Sequence, residues 1–299
     1  MTAGLRLAGA PISWGVSEVP GWGRVLDADL VLGQMAELGL AATELGPPGY
    51  LPADPVPLLA RHGLGLVGGF LAVPLHDPAT ERSTVDTAAE TAALIARCGG
   101  EVLVLAAATG LAGYDERPAL DDRRWRTLVA TAARVAEVVA GHGVRTVLHP
   151  HVGTHVETEA EVERFLADSS LPLCLDTGHL LVGGTDPVAL ARRHADRIGH
   201  VHLKDVRAEL AAQVRANTVP FAAAVARGLF VPLGDGDVDT GSVIRSVHAA
   251  GYRGWYVLEQ DTALTDQPGA ADAPRRDTAR SLAHLARLAP TLSTPRVGR

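Results

Sequence analysis

Short apolar runs alternate along this chain with longer stretches in which apolar residues recur at helical spacing. Runs of about four to eight apolar residues are typical of buried strands, and repeats of three to four residues are typical of amphipathic helices. The predicted strands cover residues 5–12, 41–45, 64–71, 101–106, 145–149, 171–176, 198–203 and 254–259. The predicted helices lie near 27–38, 53–62, 79–98, 120–142, 156–168, 185–195, 240–250 and 272–288.

This alternation predicts the fold class. Eight strand-then-helix units without a break in composition favour an α/β fold of the (β/α)8 TIM barrel type. A doubly wound open sheet is the alternative, but it would usually carry a glycine-rich phosphate turn after the first strand. The turn at 11–15 lacks the Gly-x-Gly-x-x-Gly pattern. We therefore predict one barrel domain over residues 1–290 and a loose tail at 291–299.

One segment departs from the alternation. After the seventh predicted strand, residues 206–239 form a long insertion with a helical pattern at 208–228. Long segments that follow barrel strands commonly cover or shape the active site. We expect the insertion to do so here.

Composition narrows the classes of function. Of 299 residues, 47% are hydrophobic, which is ample for a large buried core. The net charge of −7 without a basic stripe argues against nucleic-acid binding, because that binding depends on cationic neutralisation of phosphates. No apolar run approaches the roughly 20 residues that span a bilayer, and the first residues show no signal-peptide pattern. We expect a cytoplasmic protein with no membrane partner.

The cysteines give little sign of cross-linking. Cys98 and Cys174 are the two cysteines, and they lie far apart in apolar surroundings. Buried free thiols in a reducing compartment are the expected state, rather than a disulfide.

Residues able to bind a metal or transfer a proton lie at the ends of several predicted strands. The carboxyl ends of parallel strands meet at one rim of a barrel, where active sites form. The residues at these ends are Glu44, His149, His151, Asp176, His179, His202, Lys204, Asp205 and Glu259. Two imidazoles with two carboxylates suit a divalent cation such as Mn²⁺, Co²⁺, Fe²⁺ or Zn²⁺. The pattern therefore predicts a metal site formed by His149, Asp176, His202 and Glu259.

Two neighbouring histidine pairs leave alternatives open. Residues two apart on a strand face the same side, so either His149 or His151 could be the ligand from the fifth predicted strand. His200 lies one pleat before His202, and we expect it to pack in the barrel interior. Asp205 is expected to hydrogen-bond its neighbours.

Other histidines and tryptophans have simpler interpretations. Trp14 and Trp22 are candidates to line a pocket, whereas Trp255 begins a strand and is expected in the core. The histidines outside the predicted strands are expected at the surface: His62, His76, His142, His155, His194 and His248.

The motifs around these residues resemble those of the xylose-isomerase-like sugar isomerase/epimerase superfamily, and within it those of the inosose dehydratases (2-keto-myo-inositol dehydratases). The similar blocks cover nearly the whole chain and are residues 10–15, 43–52, 149–154, 175–179, 200–207, 234–239 and 255–261. The blocks at 176–179 and 234–236 are typical of the superfamily. Those at 44–52 and 202–207 are more specific to the dehydratases.

The resemblance implies a barrel with one divalent transition metal, with Mn²⁺ or Co²⁺ favoured over Zn²⁺, Fe²⁺ or Mg²⁺. In the isomerases and epimerases, Glu, Asp, His and Glu from strands five to eight hold the ion. Asp176, His202 and Glu259 match the last three, and His149 stands where the first glutamate would be. His179 matches a histidine that contacts substrate hydroxyls. Arg207 lies near the position of a substrate-binding arginine.

The imidazole at position 149 favours a dehydratase over an isomerase. Isomerases and epimerases that resemble this chain move a proton with two metal-bound glutamates on opposite faces of the substrate, and His149 replaces one of them. We therefore predict a metal-dependent carbon–oxygen lyase of inositol catabolism, which removes an α-proton from an inosose or a related polyhydroxylated ketone. A sugar isomerase or epimerase on the same barrel is the alternative. A nuclease is disfavoured by the acidic charge, and a non-enzymatic sugar-binding barrel would hold no transition metal.

Several residues receive roles in this hypothesis. His151 or Glu259 takes the α-proton, and Lys204 stabilises the enolate or donates to the leaving hydroxyl. Glu44 and His179 hydrogen-bond substrate hydroxyls, and Glu44 is also a candidate for the general acid. Trp14 and Arg207 are assigned to substrate binding. The expected partner is a small polyol or ketose, in a protein that could form a homo-oligomer.

Overall fold

A ring of parallel strands forms the centre of the protein in the computed structural model, which describes residues 4–17, 19, 22–267 and 269–292. In chain order the strands are β1 (Arg6–Gly9), β2 (Ala42–Thr43), β3 (Gly65–Leu66), β4 (Gly68–Val73), β5 (Val102–Ala107), β6 (Arg145–Leu148), β7 (Leu173–Asp176), β8 (Ile198–Leu203), β9 (Asp205–Val206), β10 (Phe230–Val231) and β11 (Trp255–Leu258). All but β9 and β10 pair in parallel, in the order β3-β2-β1-β11-β8-β7-β6-β5-β4. The short β9 and β10 pair with each other in antiparallel fashion.

Helices surround this ring, and they alternate with its strands. They are α1 (Ala28–Glu37), α2 (Val56–His62), α3 (Glu81–Arg97), α4 (Asp122–Ala140), α5 (Glu159–Asp168), α6 (Thr177–Val182), α7 (Pro187–Arg193), α8 (Ala208–Arg215), α9 (Phe221–Ala226), α10 (Thr240–Ala249) and α11 (Ala273–Leu292). Local sequence sets many of their first turns. At α5, for example, Thr158 and Glu161 form a reciprocal capping box.

The predicted (β/α)8 barrel is confirmed, and each predicted strand overlaps an observed one. The insertion differs from the prediction, because its single predicted helix is divided into α8 and α9. Between them Asn217 has a left-handed φ of 53°, and Pro220 precedes α9. Neither residue suits a continuous helix. The helix α6, directly after β7, was not predicted. Of the predicted tail, 291 and 292 continue α11, and 293–299 lie outside the described residues.

Val67 joins β3 to β4 and thereby connects the two ends of the strand order. Its N–H donates to the carbonyl of Thr43 (2.9 Å), and the N–H of Leu45 donates to the carbonyl of Gly68 (3.0 Å). The ring approaches closely at residue 68, where an added Cβ would collide with the carbonyl group of Val102. Glycine at this position therefore allows the barrel to close.

Apolar side chains fill the space between the ring and the helices in one large buried cluster. Part of the ring interior is filled by small apolar residues, including Ala8, Ala42 and Val257. The side chains at the carboxyl ends of the strands are mostly polar. Cys174 is buried and Cys98 is half-buried, and both are free thiols as expected. Within the described ranges, no helix is long and apolar enough to cross a membrane.

The closure at residue 68 leads to a stability prediction. Gly68→Ala is expected to lower the free energy of unfolding by about 1–3 kcal/mol, because the new methyl group must displace the backbone of β5. Gly65→Ala is the matched control in the same predicted strand, since its Cβ would meet its nearest atoms at 3.7 Å. The control should change stability by less than about 0.5 kcal/mol. Urea unfolding measures both, and equal effects would contradict this account of the closure.

Candidate active site

A cavity of about 340 Å³ opens at the carboxyl ends of the ring strands. Six of the residues predicted from the strand ends line this cavity: Glu44, His149, His151, His202, Lys204 and Glu259. Asp176 lies just beneath them and is fully buried. The structure therefore brings together most of the predicted site residues at one rim of the barrel.

Asp176 links the site to the backbone of α6. Its Oδ1 accepts hydrogen bonds from the N–H groups of Gly178 and His179, both at 2.8 Å, as the N-cap of that helix. Its Oδ2 faces the ammonium of Lys204 at 3.0 Å. Burial by itself would raise the pKa of Asp176, but Lys204 and the adjacent imidazoles hold that pKa well below its usual range. Asp176 is therefore a carboxylate.

Lys204 is a buried cation surrounded by carboxylates. Its Nζ lies 3.0 Å from Asp176 Oδ2, 2.8 Å from Glu259 Oε2 and 3.1 Å from Asp261 Oδ1. Burial opposes its charge, but these three carboxylates raise the pKa of Lys204 well above its usual value. Its backbone is fixed as well, since its N–H donates to Thr177 Oγ1 (2.8 Å). The ammonium therefore stays charged and held in place.

Three of the four predicted metal ligands, Asp176, His202 and Glu259, place their donor atoms within 4.8 Å of one another, and His149 approaches Asp176 from beside them. His202 Nδ1 lies 3.2 Å from Glu259 Oε2 and 3.6 Å from Asp176 Oδ2, and His149 Nε2 lies 3.4 Å from the same Asp176 oxygen. The Nδ1 of His202, which faces these carboxylates, is buried and has no hydrogen-bond partner among the described residues. The Nδ1 of His149 also lacks a partner there, but the nitrogen of His149 that faces Asp176 is Nε2. Nitrogen and carboxylate donors that face one another in this way fit a divalent transition-metal ion.

Glu44 contacts the site from the opposite side of the ring. Its Oε1 lies 3.0 Å from His200 Nε2 and 3.1 Å from His202 Nε2. Burial by itself would raise the pKa of Glu44, but the two histidines hold it below its usual range. An ionised carboxylate has no proton to give, so the hypothesis that Glu44 is the general acid is not supported. His200 packs in the barrel interior, as expected.

The backbone of Val152 fixes the orientation of two further histidines. The Nδ1 of His151 is 2.7 Å from the carbonyl oxygen of Val152, which can only accept, so this nitrogen donates. The N–H of Val152 donates to His179 Nδ1 (3.4 Å). Burial, with help from the nearby His149 and Lys204, lowers the pKa of His151 to about 3. His151 is therefore neutral at physiological pH, with the hydrogen on Nδ1 and a lone pair on Nε2.

His179 lies behind His151. The two rings are tilted by 32° with centroids 3.7 Å apart, and His179 is 1% exposed. Its Nε2 faces Asp261 Oδ2 at 3.7 Å. The cavity lining does not include His179, so the geometry favours a supporting position over direct contact with substrate hydroxyls.

Two predicted substrate contacts are not brought to the cavity. Trp14 is fully buried on the outer side of the ring, where its Nε1 donates to Gln34 Oε1 (2.8 Å) of α1. Arg207 is exposed at the start of α8. Neither lines the cavity, and both assignments are corrected for these positional reasons.

The remaining tryptophan and histidine predictions had mixed outcomes. Trp22 lines the cavity, as its candidate role required. Trp255 is partly buried, with the guanidinium of Arg6 above its ring at 4.1 Å. His155, expected at the surface, is 3% exposed because its ring packs against His76.

Asp261 was missed as a site residue. It lines the cavity and contacts Lys204, and burial raises its pKa to about 6. Its position two residues after Glu259 was the available signal, since alternate residues of an extended segment share a face. Phe70 and Tyr114 also line the cavity, but as lone aromatic residues they carried no sequence signal.

Asp205, the first residue of β9, holds the last part of the insertion beside the end of β8. Its Oδ2 accepts from the N–H groups of Gly234 (2.7 Å) and Gly236 (3.0 Å), and its Oδ1 accepts from those of Val206 (2.9 Å) and Val238 (3.0 Å). An added Cβ at Gly236 would collide with this carboxylate. The glycine-rich run is thus explained by packing on Asp205. Asp205 hydrogen-bonds its neighbours, as expected, but these partners are backbone N–H groups and not the metal-binding imidazoles that commonly need such an acceptor.

Comparisons with known proteins agree with this architecture. The sequence model of a family described as "Xylose isomerase-like TIM barrel" matches residues 32–288. The chain is 37% identical to an inosose dehydratase of Geobacillus kaustophilus over 87% of this chain and 89% of the relative. It is 33% identical to an inosose dehydratase of Erwinia tasmaniensis over 86% of this chain and 90% of the relative.

Solved structures share the fold at lower identity. An L-ribulose 3-epimerase superposes with a TM-score of 0.70 at 19% identity, covering 99% of this chain and 100% of the other. A probable 3-DHS dehydratase, AsbF from Bacillus anthracis, has a TM-score of 0.69 at 19% identity, covering 93% and 99%. The IolI protein, solved with a zinc atom, has a TM-score of 0.68 at 13% identity, covering 97% and 100%. At these identities the likeness concerns the fold.

The role of Asp205 leads to a second stability prediction. Asp205→Ala is expected to lower the free energy of unfolding by about 3 kcal/mol or more, because it removes a fully buried carboxylate that accepts from four backbone N–H groups. Asp237→Ala is the control, since the exposed Asp237 accepts one hydrogen bond, from the N–H of Ala208. It should cost less than about 1 kcal/mol. Chemical denaturation compares the variants, and a loss for Asp205→Ala no larger than that of the control would refute the assignment.

Proposed function

We propose that this chain, which belongs to the xylose isomerase-like TIM barrel family and groups there with the inosose dehydratases, is a metal-dependent dehydratase. It would eliminate water from an inosose or a related polyhydroxylated cyclic ketone with the help of a divalent metal ion. The dehydratase activity follows from relatives that match most of the chain. The substrate, the metal and the residue roles are proposals. The observation that supports them most strongly is the group of Asp176, His202 and Glu259 around one position beside the buried ammonium of Lys204.

His149, Asp176, His202 and Glu259 are the residues we assign to the metal. The donor atoms of Asp176, His202 and Glu259 lie together and fit a borderline cation, and the unpartnered Nδ1 of His202 faces this position. His149 is assigned because its Nε2 lies 3.4 Å from the Asp176 oxygen that borders the same position. When bound, a divalent ion supplies Lewis-acid stabilisation of negative charge on the substrate carbonyl oxygen, an effect worth several kcal/mol. We propose Mn²⁺ or Co²⁺ as the ion in preference to Zn²⁺, Fe²⁺ or Mg²⁺.

His151 is the base in this proposal. Its Nδ1–H is committed to the carbonyl of Val152, so Nε2 carries the lone pair that can accept the α-proton. The low pKa, near 3, means that this nitrogen is unprotonated at neutral pH. Glu259 is the weaker candidate, because its Oε2 is already engaged by Lys204 at 2.8 Å. Burial by itself would raise the pKa of Glu259, but His202 and Lys204 lower it to about 2.

Lys204 is assigned to the oxygen that gains negative charge, either the enolate or the departing hydroxyl. A lysine ammonium has three N–H donors. One is held by Asp176 in good hydrogen-bond geometry, whereas Asp261 Oδ1 lies 3.1 Å away without that geometry. A substrate oxygen can therefore replace the contact with Asp261. A fixed cation that meets charge formed only during the reaction lowers the barrier selectively.

Epimerisation or isomerisation on the same barrel is the alternative function. It would use a symmetric pair of metal-bound carboxylates, and the structure has an imidazole at the end of β6, where His149 borders the candidate ligands. Because this chain is 37% and 33% identical to two inosose dehydratases and 19% identical to an L-ribulose 3-epimerase of known structure, dehydration is the better supported reaction.

The first functional prediction concerns metal removal. Protein loaded with Mn²⁺ or Co²⁺ is expected to convert a 2-keto-inositol to a product that has lost water and absorbs in the ultraviolet as an unsaturated ketone or diketone. Chelation should abolish turnover, and adding the metal back should restore it. Product mass and absorbance measure the outcome. An isomer of unchanged mass would support the epimerase alternative, and full activity after verified chelation would contradict the metal assignment.

The second functional prediction concerns the base. His151→Ala should lower kcat by about 10²–10⁴-fold, because it removes the acceptor of the α-proton, while metal content stays unchanged. His76→Ala is the control, since His76 is a partly buried histidine that does not line the cavity. Its kcat should stay within about two-fold. Near-normal turnover by metal-loaded His151→Ala would remove His151 from the mechanism.

A further inference from the structure

Glu44 is held rigidly at the end of β2. Its N–H donates to the carbonyl of Gly9 (3.0 Å), and its own carbonyl accepts from Thr43 Oγ1 (2.9 Å). Its side chain, 3% exposed, reaches across the ring interior to β8, although β1 and β11 separate these strands in the sheet. One of its oxygens, Oε1, contacts both His200 and His202. An ionised carboxylate buried across the barrel requires partners that can donate hydrogen bonds.

The contacts of Oε1 determine where the hydrogens lie on His202. An ionised carboxylate can only accept, so the Nε2 atoms at 3.0 and 3.1 Å must both carry hydrogen. A neutral imidazole that has its hydrogen on Nε2 has a lone pair on Nδ1. In His202 that atom lies 3.2 Å from Glu259 Oε2 and 3.6 Å from Asp176 Oδ2, without hydrogen-bond geometry to either. Two carboxylate oxygens that face this nitrogen call for a positive charge between them. In the protein without metal that charge is a proton on His202, because burial opposes it but the neighbouring acidic groups raise the pKa of His202 well above its usual value. A bound cation would take the place of that proton and meet the Nδ1 lone pair, while Nε2–H stays on Glu44.

A second metal site on the other side of His202 is a competing explanation. Glu44, His200 and His202 also place three donor atoms within 4.8 Å of one another. On that side, however, hydrogen bonds already engage both Nε2 atoms, and the buried polar atoms without a partner do not include any atom of Glu44 or His200. The unpartnered nitrogen of His202 is on the side of Asp176 and Glu259. The contacts of Glu44 are therefore explained as hydrogen bonds.

We propose that Glu44 is a positioning residue that holds His202 in the Nε2–H form and so directs the Nδ1 lone pair of His202 at the metal. This inference rests on the proposed metal site and assigns Glu44 a role different from contact with substrate. Carboxylates that accept the other N–H of a metal-bound imidazole orient the ring and increase its basicity, and their loss commonly weakens metal binding by about 10–100-fold.

The test compares metal affinity among variants. Glu44→Gln keeps the size of the side chain but removes the charge that favours two N–H donors on one oxygen. Glu157→Gln is the matched control: Glu157 is also a largely buried glutamate that accepts a backbone hydrogen bond, from Gly153, and it contacts none of the four assigned ligands. The Mn²⁺ dissociation constant is measured for each by competition with a chelator.

Glu44→Gln should bind Mn²⁺ about 10–100-fold more weakly than the wild-type protein, and Glu157→Gln should stay within about three-fold. In Zn²⁺-loaded protein with ¹⁵N-labelled histidine, the Nε2–H proton of His202 should resonate far downfield in the wild type and shift upfield in Glu44→Gln. A purely structural role would not move this signal while the fold, checked by thermal denaturation, is retained.

The outcomes separate this inference from the proposed function. A wild-type protein that binds no Mn²⁺ would overturn the metal site and this inference together. Wild-type binding with equal affinity in Glu44→Gln, or equal losses in both variants, would overturn the role of Glu44 alone. Should Glu44→Gln fail to fold, Glu44→Asp replaces it, because it keeps the charge but is too short to hold both rings. Wild-type affinity in Glu44→Asp would overturn the role equally.

Discussion

The need to compensate buried negative charge governs the structure of this site. Four carboxylates lie at one end of the barrel, and each of these side chains is less than a tenth exposed: Glu44, Asp176, Glu259 and Asp261. A buried charge without partners is among the most costly features that a protein can contain. Lys204 supplies a cation to three of these groups, and imidazoles supply donors to the fourth. In the proposed function a divalent ion adds further positive charge beside these carboxylates.

The barrel topology makes that compensation possible. Strand ends that are distant in sequence meet at one rim, so Asp176 from β7 and His202 from β8 lie side by side, and Glu44 reaches them from β2. The helix α6 begins on Asp176 itself, which turns two backbone N–H groups toward its carboxylate. Asp205, next to Lys204 in sequence, holds the last part of the insertion beside the end of β8. Local sequence thus places the charges, and closure of the ring brings them together.

Much of the site followed from the sequence because strand ends can be located by hydrophobic runs. The rim residues His149, Asp176, His202 and Glu259 were found in this way, and the structure places them together. The direction of each side chain was harder to predict, because neighbouring residues after a strand can face either the cavity or the core outside the ring. Trp14 was misplaced for that reason. Other features depend on contacts between distant segments, which the periodicity of the sequence does not encode. They are the division of the insertion into α8 and α9, the tautomers set by Val152 and the pairing of Asp261 with Lys204.

The fold is shared by epimerases and dehydratases, so the reaction must be read from the site. The central claim is that His149, Asp176, His202 and Glu259 surround one divalent ion. A crystal structure of Mn²⁺-loaded protein, with anomalous diffraction measured at the manganese edge, tests it most directly. A single strong anomalous peak is expected in contact with Asp176 Oδ2, Glu259 Oε2, His202 Nδ1 and His149 Nε2. A peak bound instead between Glu44 and His200, or no peak at the rim of the barrel, would contradict it.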